Sequence, residues 1–298
     1  METRLSHFTT FRLGGPCREL IAVADAAAAM DVVRTWNAAG KPWRVMGGGS
    51  NLLVADSGIP ESVLRIAAET PDCRLDATGL LEVSAASPLD AVAAFAAECG
   101  QGGLGFASGI PGTVGGGLCG NAGAFGRQLG DVLDRVEILT PAGELRQLPR
   151  AAVEFGYRSS ALPRMGDVVV RAWFRTEAGD RAALRAEREE IRALRREKHP
   201  DWRVEPTAGS FFKNLPPANP GEPRRAAGRF LEQAGAKTMR EGGAYVFAKH
   251  ANIVIAGPGA TARDVVALTT RMAAAVRERF GIALEPEVRH WPNLTFMG

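Results

Sequence analysis

Long apolar runs are missing from this chain. Of its 298 residues 46% are hydrophobic, yet no stretch approaches the roughly 20 residues that a membrane-crossing helix needs. The opening Met-Glu-Thr-Arg-Leu-Ser has no apolar core of the kind a signal peptide carries, so a cytoplasmic protein without a membrane partner is expected. Aromatic residues are scarce, at 7% with two tyrosines, which argues against a base-stacking platform for nucleic acid. Charge of one sign is also scarce. A net charge of +3 is too mild for a dedicated nucleic-acid binder and suits small anionic ligands. The four cysteines, Cys17, Cys73, Cys99 and Cys119, form no CxxC pair and no Cys/His spacing of a zinc site. They are expected to be small buried side chains in a reducing compartment, and no metal is expected. Internal repeats are absent.

What the chain does have is alternation. Short β runs, Glu19–Val23, Trp43–Met46, Leu52–Ala55, Leu80–Ala85, Val132–Thr140 and Asp167–Thr176, alternate with Ala-rich helical stretches through the first two-thirds. One helix spans Ala26–Ala39 and closes at Gly40. Another starts with Ser87 as N-cap, Pro88 at the first helical position and Asp90 three residues after the cap, and closes at Gly100. Arg181–Lys198 reads as a charged helix with Leu184, Ile191 and Leu194 on one face and its charges solvated. The Pro-rich stretch from Pro200 to Pro223 reads as a linker with a site inside it. The last third reads as a smaller α+β unit: helix Arg225–Ala234, strand Ala251–Ala256, and helix Ala262–Phe280 with a Thr261/Asp264 capping box and Gly281 as its stop.

Two glycine-rich loops carry the chemistry. The first is Gly47-Gly48-Gly49-Ser50-Asn51-Leu52. Consecutive glycines allow close backbone approach and let N–H groups converge on phosphate, although a tight turn would use them equally well. It is no P-loop, since no Lys-Ser/Thr follows. It is no Rossmann fingerprint, since the chain returns to strand rather than helix. The second loop runs from Gly100 to Gly126, GQGGLGFASGIPGTVGGGLCGNAGAFG. Phe106, Ile110, Pro111, Val114 and Phe125 anchor it, which argues against a flexible linker. Two separated nests suggest a pyrophosphate with extended groups at both ends, hence a dinucleotide.

Seven blocks in order carry a resemblance: Thr9–Gly15, Gly47–Leu53, Gly109–Gly116, Asn121–Gly126, Gly156–Ser160, Ala208–Asn214 and Glu285–Arg289. Together they resemble the UDP-N-acetylenolpyruvoylglucosamine reductase family, within the vanillyl-alcohol-oxidase-like FAD-binding superfamily. The short spacing from Tyr157 to Ser210 is similar to the branch that lacks an extra tyrosine-bearing loop. The resemblance implies an α+β fold: an FAD-binding domain over 1–190, made of two α/β subdomains split near residue 66, and a smaller substrate-binding domain over 191–298. It implies non-covalent FAD, NADPH as co-substrate, UDP-N-acetylglucosamine enolpyruvate as substrate, a role in peptidoglycan precursor synthesis, and a monomer. FAD contacts are expected from Gly47, Gly48, Gly49, Ser50, Asn51 and Leu52, and from Ser108, Gly109, Ile110, Pro111, Gly112, Thr113, Gly115, Gly116, Asn121 and Gly123.

In the family reaction, hydride passes from NADPH to flavin and then to the enolpyruvyl carbon, and a proton follows. Ser210 matches the proton donor; read from Gly-Ser alone it would be a turn or cap serine. Arg158 and Glu287 match the pair that holds the substrate carboxylate. The guanidinium offers a bidentate fork, and two like charges at one site keep one acid, expected to be Glu287, protonated. Lys198, Asn214 and Gln233 match substrate-binding side chains. Tyr157 either backs Arg158 or only packs. His250 reads as a partly buried structural histidine, and His7 and His290 carry no signal. Phe247, Ala256 and His199 depart from the usual family residues, as do Cys119 and Leu215, but Ser210, Arg158 and Glu287 are all present. Two other readings are weaker. Another FAD oxidoreductase of the superfamily, acting on an alcohol or sugar, would lack the Ser210 and Glu287 blocks. A non-catalytic flavin sensor would have lost them.

Overall fold

A computed structural model describes residues 3–292. It divides into two compact units, a larger one of residues 18–48 and 61–195 and a smaller one of 1–17, 49–60 and 196–298.

In the larger unit, the first helix begins where Asp25 can cap it. The Asp25 carboxylate accepts from Ala28 N at 2.8 Å, replacing one of the bonds a helix start leaves unmade. The helix, Ala26–Ala38, buries Ala29, Val33 and Trp36, spaced four and three residues apart on one face. It links the strands Leu20–Val23 and Trp43–Met46, which flank Ser62–Ile66 in a parallel three-stranded sheet. The middle strand is buried on both faces, as an interior parallel strand must be. An antiparallel five-stranded sheet follows, in the order Leu145–Pro149, Leu133–Leu139, Val168–Arg175, Leu80–Ser84, Cys73–Leu75. Leu64 and Ile66 of the first sheet share one hydrophobic core with Val83, Val136 and Phe174 of the second.

Three expectations change here. Ser87 is not the N-cap of the helix Leu89–Glu98. Pro88 takes that position without a side-chain cap, because the Ser87 hydroxyl accepts from Asp72 N at 3.0 Å and Asp90 is drawn to Gly109 and Arg188. Of the four cysteines only Cys17 is buried; Cys73 and Cys119 are half-buried and Cys99 is exposed. Desolvation still pushes the Cys73 thiol up to about 12. The charged helix Arg181–Lys198 is not uniformly solvated either, since its Arg188 side chain turns inward to Asp90 and is largely buried.

The smaller unit draws on three segments. Its long helix, Ala262–Phe280, has the expected capping box: Thr261 Oγ1 accepts from Asp264 N, and Asp264 accepts in return from Thr261 N. Asp56, two hundred positions earlier, accepts from Ala262 N at 2.8 Å and Arg263 N at 3.2 Å. Val265, Leu268, Met272 and Val276 line the buried face and meet Phe11, Leu13, Leu53, Phe211 and Phe212. The strand Arg289–Trp291 pairs in parallel with Leu52–Val54. An antiparallel sheet joins Arg240–Glu241, Ala244–Val246 and Val254–Ala256, so the expected strand Ala251–Ala256 is regular only over its last three residues. The stretch read as a Pro-rich linker contains core instead: Phe211 and Phe212 are fully buried. Among the described residues no helix is long and apolar enough to cross a membrane.

Candidate active site

Gly47 and Gly48 of the first glycine loop meet the second loop within the larger unit. A β-carbon added to Gly47 would lie 2.5 Å from Thr113 Oγ1, and one on Gly48 would lie 2.8 Å from Gly112 Cα. Backbone therefore packs on backbone, and any side chain would force the loops apart. Gly112 holds a φ of +106°, open to glycine at little cost. Thr113 caps the short helix Val114–Cys119, its Oγ1 accepting from Gly116 N at 3.4 Å. The next donors are already committed: Val114 N to Ser87 O and Gly115 N to Ala85 O. A ligand phosphate would therefore meet the glycine turn ahead of this helix rather than Val114 and Gly115 N–H. Ser108 is fully buried, and its Oγ has no hydrogen-bond partner among the described residues. A buried hydroxyl left so is costly unless something else satisfies it.

Gly109 is held from both sides by residues that the sequence reading missed. Its N–H donates to Asp90 Oδ1 at 2.8 Å, and its carbonyl accepts from Arg195 Nε at 3.1 Å. Asp90 in turn accepts from Arg188 Nη2 at 2.6 Å. Arg188 and Arg195 come from the charged helix and share a face with Leu184 and Ile191, at helical spacing. Burial draws the Arg195 pKa down; Asp90 opposes that and the Arg158 guanidinium adds to it. The field around Gly109 is thus positive, with Asp90 as the counter-charge. Gly109 itself has a φ of +72°, and a β-carbon there would lie 3.1 Å from Arg195 Cδ.

Arg158 sits in a tight turn in which Gly156 and Ser159 bond each other's backbone, and its own φ is +52°. Its Nη2 donates to Gly123 O at 2.8 Å, and its guanidinium lies 5.4 Å from the Tyr157 ring centroid, within cation–π range. Asn121 ties this turn to the second glycine loop. It is fully buried, its Oδ1 accepts from Gly130 N at 2.9 Å and its Nδ2 donates to Gly156 O at 2.8 Å. Both ends of its carboxamide are therefore committed within the protein.

The smaller unit brings Ser210, Glu287 and Asn51 together. Residues 210–213 run between two other extended stretches. On one side Ser210 bridges Ile253 and Phe211 N donates to Asn252 O at 2.7 Å. On the other, Glu287 N donates to Phe211 O at 2.7 Å and Lys213 N to Glu285 O at 2.9 Å. Asn51 flanks Glu287 from the far side: its Nδ2 donates to Glu287 O at 3.1 Å, and its carbonyl accepts from Arg289 N. The last four residues of the first glycine loop, Gly49, Ser50, Asn51 and Leu52, belong to this unit, and the chain passes between units at Gly48–Gly49.

The expected substrate residues are more scattered. Asn214 Oδ1 accepts from Ala227 N at 3.2 Å at the start of the helix Ala227–Gln233, and its carbonyl accepts from Arg224. Gln233 is exposed at the end of that helix, and Lys198 is exposed at the end of Arg181–Lys198. His199 stacks on His250, centroids 5.9 Å apart. His290, given no role by the sequence, is buried, and desolvation lowers its pKa to about 4.

Known proteins match both units. The family model described as "UDP-N-acetylenolpyruvoylglucosamine reductase, C-terminal domain" matches residues 199–291, and one described as "FAD binding domain" matches 18–149. The UDP-N-acetylenolpyruvoylglucosamine reductase of Heliobacterium modesticaldum is 39% identical over 286 residues, covering 96% of this chain and 88% of that protein. The chain belongs to the UDP-N-acetylenolpyruvoylglucosamine reductase family. The reductase of Anaeromyxobacter sp. strain K is 43% identical over 281 residues, covering 94% of this chain and 82% of that protein. The crystal structure of the Thermus caldophilus reductase superposes with a TM-score of 0.80 at 32% identity, covering 98% of each chain. Membership makes this protein an FAD-dependent oxidoreductase with the fold of that family. The residues present fit the cofactor: the Ser108 hydroxyl lacks a protein partner among the described residues, and Gly47 and Gly48 let the first loop pack directly on Gly112 and Thr113 of the second.

Proposed function

We propose that the chain reduces UDP-N-acetylglucosamine enolpyruvate to UDP-N-acetylmuramate, a step of peptidoglycan precursor synthesis, with NADPH as reductant and non-covalent FAD. The observation that carries the proposal is the pairing of Ser210 and Glu287 on adjacent extended stretches, joined by the Glu287 N to Phe211 O bond of 2.7 Å, with Asn51 of the first glycine loop against Glu287. FAD, when bound, supplies the hydride chemistry between NADPH and the enolpyruvyl β-carbon.

The chain's own residues supply the rest. As the β-carbon gains hydride, negative charge grows on the α-carbon and spreads into its carboxylate. Arg158 receives that charge with a guanidinium whose planar fork suits a carboxylate. Glu287, as the neutral acid, donates a hydrogen bond to the same carboxylate, since two unprotonated carboxylates side by side would repel. Ser210 gives its hydroxyl proton to the α-carbon, so one hydride and one proton add across the double bond. A serine hydroxyl is a weak acid, and its use here rests on placement rather than acidity. Tyr157 backs Arg158, and Lys198 at its helix end meets the substrate diphosphate or, in the other half-reaction, the NADPH phosphates. Asn214, which caps the Ala227–Gln233 helix, and Gln233 complete the substrate contacts. The FAD contacts are Gly47 to Leu52 of the first loop and Ser108 to Thr113, Gly115, Gly116, Asn121 and Gly123 of the second, and residues from about 191 onward form the substrate-binding domain of a monomer.

The test is optical. NADPH should bleach the flavin absorbance of purified protein, and one equivalent of the enolpyruvyl UDP-sugar should restore it. Flavin that bleaches but stays reduced in the presence of that sugar would defeat the proposal.

A further inference from the structure

Asn252 holds the segment after Ser210 through both its main chain and its side chain. Its backbone carbonyl accepts from Phe211 N at 2.7 Å. Its Oδ1 accepts from Phe212 N at 2.9 Å and its Nδ2 donates to Phe212 O at 2.8 Å. Three bonds thus fix the two residues that follow Ser210, and Asn252 is 2% exposed. The chemistry of Phe212 dictates which end of the carboxamide points where, because an N–H needs the oxygen and a carbonyl needs the NH2. Only an amide of this length satisfies both.

Asn252 is itself braced. Its own N–H donates to His250 Nδ1 at 3.2 Å, so Nδ1 is unprotonated and the ring is neutral. Burial lowers the His250 pKa and Lys237 adds to that, while a backbone bond and Glu232 oppose it; His199 stacks on the ring. Little room is left beside it: a β-carbon on Gly228 would lie 3.2 Å from His250 Cε1.

We infer that Asn252 is the positioning residue for Ser210, its carboxamide clamping the Phe212 peptide and the neutral His250 imidazole bracing it from behind. The inference rests on Ser210 as proton donor. A proton transfer to carbon tolerates little misplacement, and an error near 1 Å costs about 10²-fold. Asn252 should therefore govern the half-reaction that uses the proton and leave the other alone.

Asn252→Asp puts a carboxylate oxygen where the amide donor faced the Phe212 carbonyl. At neutral pH the variant should reduce its flavin with NADPH at the wild-type rate and reoxidise it with the enolpyruvyl UDP-sugar about 10²-fold more slowly. Lowering the pH should recover part of that loss, because the introduced carboxyl group, once protonated, again donates to that carbonyl. The Phe212 amide should exchange its hydrogen faster in the variant than in the wild type, a readout independent of turnover. Should the variant fail to fold, His250 gives the second test. His250→Leu, which removes the acceptor for Asn252 N–H, should slow reoxidation about tenfold, and His250→Asn, whose side-chain oxygen can stand at the Nδ1 position, should restore it. Ser210→Ala is measured alongside. If Ser210→Ala reoxidises normally, the reading of Ser210 falls. If Ser210→Ala is crippled while Asn252→Asp reoxidises within twofold of wild type, or loses both half-reactions equally, the positioning role falls and the reading of Ser210 stands.

Discussion

Arg158 is committed to its turn before any substrate arrives: it holds a left-handed φ, donates to Gly123 O and lies over Tyr157. Lysine carries the charge but neither the planar fork nor the reach to do all three. Arg158→Lys is expected to lower kcat/KM for the UDP-sugar by about 10²-fold or more, with bleaching by NADPH unchanged; stopped-flow absorbance separates the two. His290 supports a prediction of another kind. Its folded pKa is about 4, below the free-imidazole value of about 6.5. The unfolded chain thus takes up a proton that the folded chain refuses, so this contribution to stability is whole above pH 6.5 and drains away as pH falls towards 4. At pH 5 the loss is about 2 kcal/mol. Urea unfolding at pH 7 and pH 5 should show it, and His290→Leu should flatten the difference. Ser210, Arg158 and Glu287 could be proposed from the sequence because each lies in a local block whose neighbours are also distinctive. Arg188, Arg195 and Asn252 could not, because their partners lie 98, 86 and 40 positions away, and nothing local to each marks the pairing.

The helix Arg181–Lys198 illustrates the same point for elements. Its span and two residues of its inward face, Leu184 and Ile191, were readable from the sequence, but Leu194 is exposed, and Arg188 and Arg195 look like solvent residues until Asp90 and Gly109 are placed beside them. The Arg188 side chain is only 11% exposed, so this ion pair should matter more than the helix's exposed ones. Removing it leaves Asp90 with only Arg195 as a neighbouring cation and loosens the Gly109 turn. Arg188→Leu is expected to weaken FAD binding about tenfold, one hydrogen-bonded charge pair's worth; flavin fluorescence on titrating the apoprotein measures it directly. Elements whose signals are local came out as read, such as Ala262–Phe280 with its Thr261/Asp264 box and Gly281 stop. The stretch 200–223 did not, because prolines and polar residues masked Phe211 and Phe212, whose burial depends on Phe11 and Leu53 from the other end of the chain.

For the whole molecule, the chain order and the packing order differ. A cut near residue 190 is natural in the sequence, yet the compact unit that holds Ser210 and Glu287 also takes residues 1–17 and 49–60. Those segments supply Phe11, Leu13 and Leu53 to the core, the partner strand for Arg289–Trp291 and the Asp56 cap on the helix at Ala262. Three buried side chains at about 2 kcal/mol each and a cap at about 1 kcal/mol amount to about 7 kcal/mol. That matches the whole net stability of many domains. A fragment of residues 191–298 is therefore expected to remain collapsed without fixed packing, with no near-UV circular dichroism and poorly dispersed amide resonances. Within the full chain, Leu53→Ala should cost about 3 kcal/mol by urea unfolding, although it touches neither Ser210 nor Glu287 in sequence. A fragment that folded alone with native dispersion would mean that the early segments only decorate this unit. Failure of the fragment, with a large loss at Leu53, would mean that the strand Arg289–Trp291 after Glu287 is completed only by the segment that follows Asn51, so that one folding event sets both stretches together.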